Sequence, residues 1–218
     1  MKRSIEITAD GSATIYLPEI DEHYHSIKGA LTESQHIYRD CALRHCTKND
    51  IRVLEIGFGT GLNCIVTALE PNKKINYFTL ELYPLQKETI TAVGYAKLFD
   101  EIGEKLYISI TDATWNESIE ISTNFTINKL NIDFTNPNIE LPTNIDVVYF
   151  DAFAPEKQPE MWSEDGFARI YACMATGGIL TTYCAKGDIR RRLQSVGFTV
   201  ERISGPKNGK REIIRATK

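Results

Sequence analysis

The segment Leu54-Glu55-Ile56-Gly57-Phe58-Gly59-Thr60-Gly61-Leu62-Asn63 runs an apolar stretch into three closely spaced glycines and then into a helical pattern. Glycine adopts turn conformations closed to other residues and puts no side chain between backbone and ligand, so this is a nucleoside-binding arrangement. The dinucleotide fingerprint G-x-G-x-x-G would need a glycine where Leu62 stands. The spacing here is G-x-G-x-G, with Glu55 two residues before the first glycine. A pyrophosphate would be repelled by that carboxylate, whereas a ligand carrying an ammonium and a sulfonium suits it. The expected ligand is S-adenosyl-L-methionine, with Glu55, Gly57, Gly59, Gly61 and Asn63 as its contacts; the plainer alternative is a tight turn with no ligand. Glu81 closes the next apolar run, 20 residues after Gly61, where an acid can accept from ribose hydroxyls. For a third acid, beside an adenine amino group, the candidates are Asp112 and Asp133, and the short connection onward to the next strand favours Asp133.

A second chemical segment is Asp151-Ala152-Phe153-Ala154-Pro155-Glu156-Lys157-Gln158-Pro159-Glu160-Met161-Trp162, entered from the continuous apolar run 145–150. Ligands in open α/β sheets sit beyond the carboxyl ends of strands, so Asp151 is expected to face the reacting group. A carboxylate there can orient the group that receives the methyl and stabilise positive charge that forms on it. Phe153 and Trp162 are flat surfaces on which a base could stack, although Trp162 can equally serve as a hydrophobic staple for the helix after Ser163. Lys157, Lys210 and Arg211 are candidates for phosphate contacts, with solvated surface charge as the alternative. His23, His25, His36 and His45 show no metal-ligand spacing; His25 and His36 are placed near the rim of the ligand site.

These residues need a scaffold. The runs 51–56, 75–82, 145–150 and 179–184 read as strands, and 62–69, 163–174 and 188–196 as helices, the second ended by Gly177-Gly178 and the third by Gly197. Pro84 suits the first turn of a further helix. Alternating strands and helices predict an α/β fold with a doubly wound, mostly parallel sheet. The stretches 198–203 and 211–216, joined by Gly-Pro-Lys-Asn-Gly, predict a C-terminal antiparallel hairpin. Two short strands are expected at 107–110 and 125–130. The first forty residues show no clear strand period, and 32–43 looks helical. The reading is one domain, with residues 1–48 as a covering segment and 49–218 as a Rossmann-like core.

The chain has 218 residues, 42% hydrophobic and 25% charged, enough to bury a sizeable core. No apolar run approaches the roughly 18 residues of a membrane span, and the first ten residues lack a signal-peptide core. Five cysteines without a C-x-x-C pair argue against a disulfide framework or zinc ribbon, so a reducing, cytoplasmic setting is expected. The net charge of −4 argues against a protein that coats nucleic acid over its whole surface. Residues 186–218 nevertheless hold ten Lys/Arg against three acids, a basic end that can contact phosphates.

Four motifs together resemble one family: Y-H-S-I-K-G-A-L-T-E-S-Q-H-I-Y at 24–38, L-E-I-G-F-G-T-G-L-N at 54–63, D-A-F-A-P-E-K-Q-P-E-M-W at 151–162 and G-K-R-E at 209–212. They resemble the methyltransferase half of bifunctional MnmC proteins and its stand-alone relatives, the tRNA 5-methylaminomethyl-2-thiouridine methyltransferases. The resemblance implies a class I S-adenosylmethionine-dependent methyltransferase fold. It implies methyl transfer to the aminomethyl nitrogen of the wobble uridine in a tRNA anticodon loop, and it supports Asp133 over Asp112. The sequence contains no flavin-dependent oxidase half, so a separate enzyme is expected to supply the aminomethyl uridine. Other readings are a methyltransferase for a small molecule or protein, an aminopropyltransferase, and a non-catalytic tRNA-binding module; Leu62 and Glu55 disfavour a nicotinamide dehydrogenase.

Overall fold

The computed structural model describes residues 2–218. A small antiparallel sheet opens the chain, with β1 (Ser4–Ile7), β2 (Ala13–Leu17) and the two-residue β3 (Glu22–His23). Helix α1 (Ala30–Glu33) passes directly into a ten-residue π-helix, Ser34–Leu43. The remaining elements are β4 (Asp50–Ile56), α2 (Leu62–Ala68), β5 (Lys74–Leu80), α3 (Lys87–Val93), α4 (Glu101–Asp112), β6 (Ser118–Ser122), β7 (Phe125–Leu130), β8 (Ile145–Phe150), α5 (Glu164–Cys173), β9 (Met174–Thr182), α6 (Gly187–Ser195), β10 (Thr199–Ser204) and β11 (Glu212–Thr217). They build an eight-stranded sheet in the order β10-β11-β9-β8-β4-β5-β7-β6. The five strands from β9 to β7 are mutually parallel, and β6 and the β10–β11 hairpin are antiparallel.

Helices cover both faces, which is why the central strands are apolar throughout rather than alternating. Val53, Tyr77, Val147 and Tyr149 pack with Ile37, Tyr38, Ile65, Tyr107 and Ile110 on one side. Leu54, Ile56, Val148 and Phe150 pack with Phe167, Ile170, Ile189 and Leu193 on the other. Strand order reverses at β4, which has β5 on one side and β8 on the other, and ligands in such sheets bind at that switch point. Register matches the strand ends there: Ile56 pairs with both Leu80 and Phe150, and Leu80 with Leu130. The residues one step further, Gly57, Glu81, Asn131 and Asp151, therefore stand in a row along the carboxyl edge of the sheet.

Several expectations need correction. Residues 107–110 are not a strand but the end of α4; Gly103, Leu106, Tyr107 and Ile110 face the core at helical spacing, and the Asp100 carboxylate caps the helix by accepting from the Gly103 N–H at 2.9 Å. The β-branched and aromatic composition of that stretch misled the reading. The strand β6 went unread, and so did the N-terminal sheet, because β1 is exposed along its whole length and shows no alternation. Pro84 lies three residues before α3 rather than in its first turn. Helix α5 ends at Cys173, and Gly177 and Gly178 lie inside β9, where the pairing with β8 shifts register. The helix start at Ser163 is as expected, its hydroxyl accepting from the Gly166 N–H at 3.1 Å.

Candidate functional site

A cavity of about 890 Å³ opens above the row of strand ends, within the size range of small-molecule sites. Its wall includes Tyr24, His25, Glu33, Gly57, Gly59, Glu81, Asp133, Asp151, Phe153, Lys157, Tyr183 and Lys210. Most of the expected site residues are thus brought together, from segments spread over the chain.

The glycine loop is built for close approach. Gly57, Gly59 and Gly61 all have positive φ, at 94°, 51° and 76°. A Cβ on Gly57 would stand 2.8 Å from the Asp151 carbonyl oxygen, so only glycine lets the β4 loop pass beside the end of β8. A Cβ on Gly59 would press on the Tyr24 ring at 3.1 Å. The Gly59 N–H donates to Glu81 Oε2 at 3.1 Å, and the Tyr83 N–H donates to Oε1 at 2.9 Å. Glu81 is therefore held across the mouth of the loop and lines the cavity. Asp133 also lines the cavity; one oxygen accepts from the Thr135 N–H and hydroxyl at 2.8 and 2.7 Å. Asp112 instead forms an ion pair with Lys87 at 2.6 Å and does not reach the cavity, so of the two candidates only Asp133 is placed beside it.

Asp151 is the most constrained side chain of the site. Tyr38 Oη donates to Oδ1 at 2.6 Å and Asn63 Nδ2 donates to Oδ2 at 2.8 Å. Burial pushes the carboxyl up to about 6, while both donors, and the Lys210 ammonium, act to hold it down. It is accordingly ionised at neutral pH and locked in orientation. Asn63 was expected to touch the cofactor, but it lies beneath the loop and its amide is spent on Asp151.

Glu55 also departs from expectation. The alternation that turns Val53 toward α2 turns Glu55 the same way, so the carboxyl is fully buried under the glycine loop and not on the cavity wall. Thr79 donates to its Oε2 at 2.7 Å, and burial pushes it up to about 8. Buried beneath the loop and off the cavity wall, Glu55 is not placed to touch a ligand in the cavity. Trp162 is likewise fully buried, packed against Phe150, Phe167 and Tyr183, and cannot stack a base. Its indole N–H donates to the Phe153 carbonyl at 2.8 Å, so it anchors residues 151–162 from below. Phe153 does line the cavity, edge-on to Tyr24 with ring centroids 5.3 Å apart. Lys157 stands at the rim, and the Lys210 ammonium lies over the Tyr183 ring at 3.9 Å. Arg211 is exposed and off the cavity wall. His25 lines the cavity, buried and held well below its usual value, at about 4, so it is neutral; His36 bonds the Ser204 carbonyl at 2.8 Å and does not line the wall.

Three contributors were missed in the sequence: Glu33, Tyr38 and Tyr183. The first two were invisible because what places them is tertiary. The N-terminus of α1 is capped from the β1–β2 turn, with Thr32 N–H and hydroxyl donating to Asp10 Oδ2 at 2.8 and 2.7 Å, and the Ala30 and Leu31 N–H groups donating to Ser12 Oγ, each at 3.2 Å. The π-helix that follows is a rare form, found mostly as short insertions at functional sites. Tyr183, the residue after β9, donates to the Ala152 carbonyl at 2.8 Å and supports the Asp151 loop.

The cradle, the strand-end acid Glu81 and the absence of a Cβ at Gly57 fit an adenosyl ligand. Comparison with known proteins bears on the same point. A family model described as S-adenosyl-L-methionine-dependent methyltransferase matches residues 97–218. A curated protein of Campylobacter hominis, named tRNA 5-methylaminomethyl-2-thiouridine biosynthesis bifunctional protein MnmC, is 29% identical over 199 residues, covering 89% of this chain and 30% of its own length. A protein of the same name from Paraburkholderia phymatum is 26% identical over 212 residues, covering 89% of this chain and 32% of its own. The chain thus spans about a third of the length of these relatives. Among solved structures, MNMC2 from Aquifex aeolicus superposes with a TM-score of 0.78 at 21% identity over 99% of this chain and 70% of that one. Spermidine synthase from Thermotoga maritima superposes with 0.64 at 14% identity over 99% and 68%. At these identities the two structures speak to the fold alone.

Proposed function

The chain belongs to a family of S-adenosyl-L-methionine-dependent methyltransferases, and from that premise we propose that it N-methylates the 5-aminomethyl group of a (2-thio)uridine at the wobble position of tRNA. The observation that carries the reading is Asp151, fixed by Tyr38 and Asn63 beside the Gly57 backbone, at the place where a cavity fit for the adenosyl ligand meets a rim of Phe153, Lys157 and Lys210. The curated relatives take their name from the same modified nucleoside.

Bound there, S-adenosyl-L-methionine would supply an electrophilic methyl on a sulfonium that keeps the bonding pair. The protein's own part is positioning and charge. Gly57, Gly59 and Gly61 give the backbone cradle; Glu81 accepts from ribose hydroxyls and Asp133 faces the adenine side. Asp151 holds the incoming nitrogen and stabilises the secondary ammonium that forms on it. Holding a nucleophile in line supplies much of the rate of such a transfer. The wobble base must leave its stack to reach the floor of the cavity, and Phe153 offers the ring against which it rests. Lys157 and Lys210 receive neighbouring phosphates, with the basic residues 186–218 extending that contact. In this reading the aminomethyl nucleoside is the product of a preceding activity, and the reaction is proposed to take place in the cytoplasm.

The test is incubation of the protein and S-adenosyl-L-methionine with tRNA carrying 5-aminomethyl-2-thiouridine, followed by nucleoside mass spectrometry. The expected product is 5-methylaminomethyl-2-thiouridine. An unchanged nucleoside, with methylation of a small amine or a protein instead, overturns the reading.

A further inference from the structure

Resting on that reading, we propose that Glu33 is the base of the site: it takes one proton from the substrate's ammonium group, and Asp151 holds the resulting amine. An alkyl amine enters mostly as its ammonium at neutral pH, since such groups titrate near 10.4, and a protonated nitrogen has no lone pair with which to attack. Some group must receive the proton.

Two carboxylates on the cavity wall differ in what already binds them. Asp151 has a strong donor on each oxygen. Glu33, only 8% exposed, accepts the Ser26 N–H at 3.1 Å on Oε1, and among the described residues no group donates to Oε2. A carboxylate satisfied on both oxygens is a poor proton acceptor, and one with a bare oxygen facing a cavity is a good one. The division matches the general pattern in which neighbouring acids with different environments take different roles.

The helix explains how both reach one place. Hydrogen bonds in the π-helix run i to i+5, as from the Arg44 N–H to the Arg39 carbonyl at 2.8 Å, so residues five apart come onto one face. Glu33 and Tyr38 are five apart, and Tyr38 delivers its hydroxyl to Asp151 while Glu33 turns to the cavity. In an α-helix they would diverge.

The titratable groups whose charge couples to Glu33 are Asp151 just past β8, Lys210 from the hairpin turn, Asp10 from the β1–β2 turn, Tyr38 on the helix that continues from α1, Tyr183 just past β9 and Tyr95 from the 3-10 turn between α3 and α4. Burial, together with the charge on Asp151, lifts Glu33 to about 7, and the Ser26 N–H and Lys210 oppose the rise. Near pH 7 the group can therefore both accept a proton and release it. The step balances: the ammonium loses one proton and Glu33 becomes a neutral carboxylic acid; the freed nitrogen pair forms the new N–C bond as the S–C bond of the methyl donor breaks, its pair staying on the sulfur of a neutral thioether; and Glu33 then returns its proton to solvent through the cavity mouth.

The first measurement uses the wild-type protein without cofactor. Carboxylate carbon-13 NMR should show Glu33 titrating near 7, and 5-aminomethyluridine as probe should move that midpoint downward, because a nearby cation favours the ionised form. The second compares pH–rate profiles on aminomethyl tRNA. Glu33→Gln should lose about 100-fold in kcat/KM at pH 7 and regain about tenfold per pH unit above it, as the substrate ammonium gives up its proton to solvent; Glu33→Asp should keep a wild-type profile shape at reduced rate. A Glu33 midpoint unmoved by the probe, or a Glu33→Gln profile parallel to wild type, overturns the assignment. Failure of the wild type to methylate the tRNA would instead overturn the proposed function, and the probe titration reads Glu33 regardless of it.

Discussion

Tyr38 donates its hydroxyl to Asp151 Oδ1 across 2.6 Å, joining a helix near the start of the chain to the end of β8, 113 residues later. Asp151 lines the cavity and Tyr38 fixes its orientation, so the N-terminal segment supplies part of the candidate site. A hydrogen bond to a charged group contributes about 1.5–3 kcal/mol. Tyr38→Phe should therefore raise the Asp151 carboxyl from about 6 by roughly one to two units. Removing a donor destabilises the ionised form, so activity near pH 6 should fall more than activity near pH 8. Carboxylate NMR of the Asp151 resonance checks the shift; an unmoved midpoint contradicts it.

Asp151→Ala should lower methyl transfer by about 100-fold or more, while binding of S-adenosyl-L-methionine by calorimetry stays near wild type. In the proposed reaction the side chain meets the acceptor nitrogen, whereas the cofactor rests on the backbone cradle and Glu81. Turnover near wild type in this variant would remove Asp151 from the reaction.

Gly57→Ala places a Cβ 2.8 Å from the Asp151 carbonyl oxygen at a φ of 94°. Such strain costs on the order of 1–3 kcal/mol. Thermal unfolding should show a lower midpoint, and titration calorimetry a weaker hold on the methyl donor. Retention of both would mean that the loop has room which the geometry denies it.

Glu55→Gln tests the corrected role of that residue. The folded-state carboxyl titrates at about 8 against an ordinary 4.5. The unfolded chain thus releases this proton first, and the wild type loses stability as pH rises between those values, levelling above 8. The glutamine variant lacks that loss, so its unfolding midpoint should gain on wild type from pH 5 to pH 8. Its affinity for S-adenosyl-L-methionine should change by less than about threefold, or roughly 0.7 kcal/mol. A large loss of affinity would return Glu55 to the cofactor.

The sheet and most of the cavity could be read in the sequence because they rest on local signals. Apolar runs ending in Gly57, Glu81 and Asp151 mark parallel strands whose ends must face one crevice, and strand register then brings those residues into line. What failed was orientation and distant packing. Glu55 looked like a ligand contact because its place in the motif says nothing about which side of β4 it occupies. Trp162 looked like a base platform because an aromatic in a proline-pinned loop gives no sign of whether it points in or out. Glu33 and Tyr38 went unremarked because their placement depends on caps from Asp10 and Ser12 some twenty residues earlier, and on a π-helix that no sequence period announces.

A crystal structure of the protein with S-adenosyl-L-methionine should show the adenosyl group along Gly57–Gly61 with its ribose on Glu81, and the methyl carbon turned toward Asp151 and Glu33. A donor lodged elsewhere, or bound in the loop with its methyl directed away from both carboxylates, would contradict this placement.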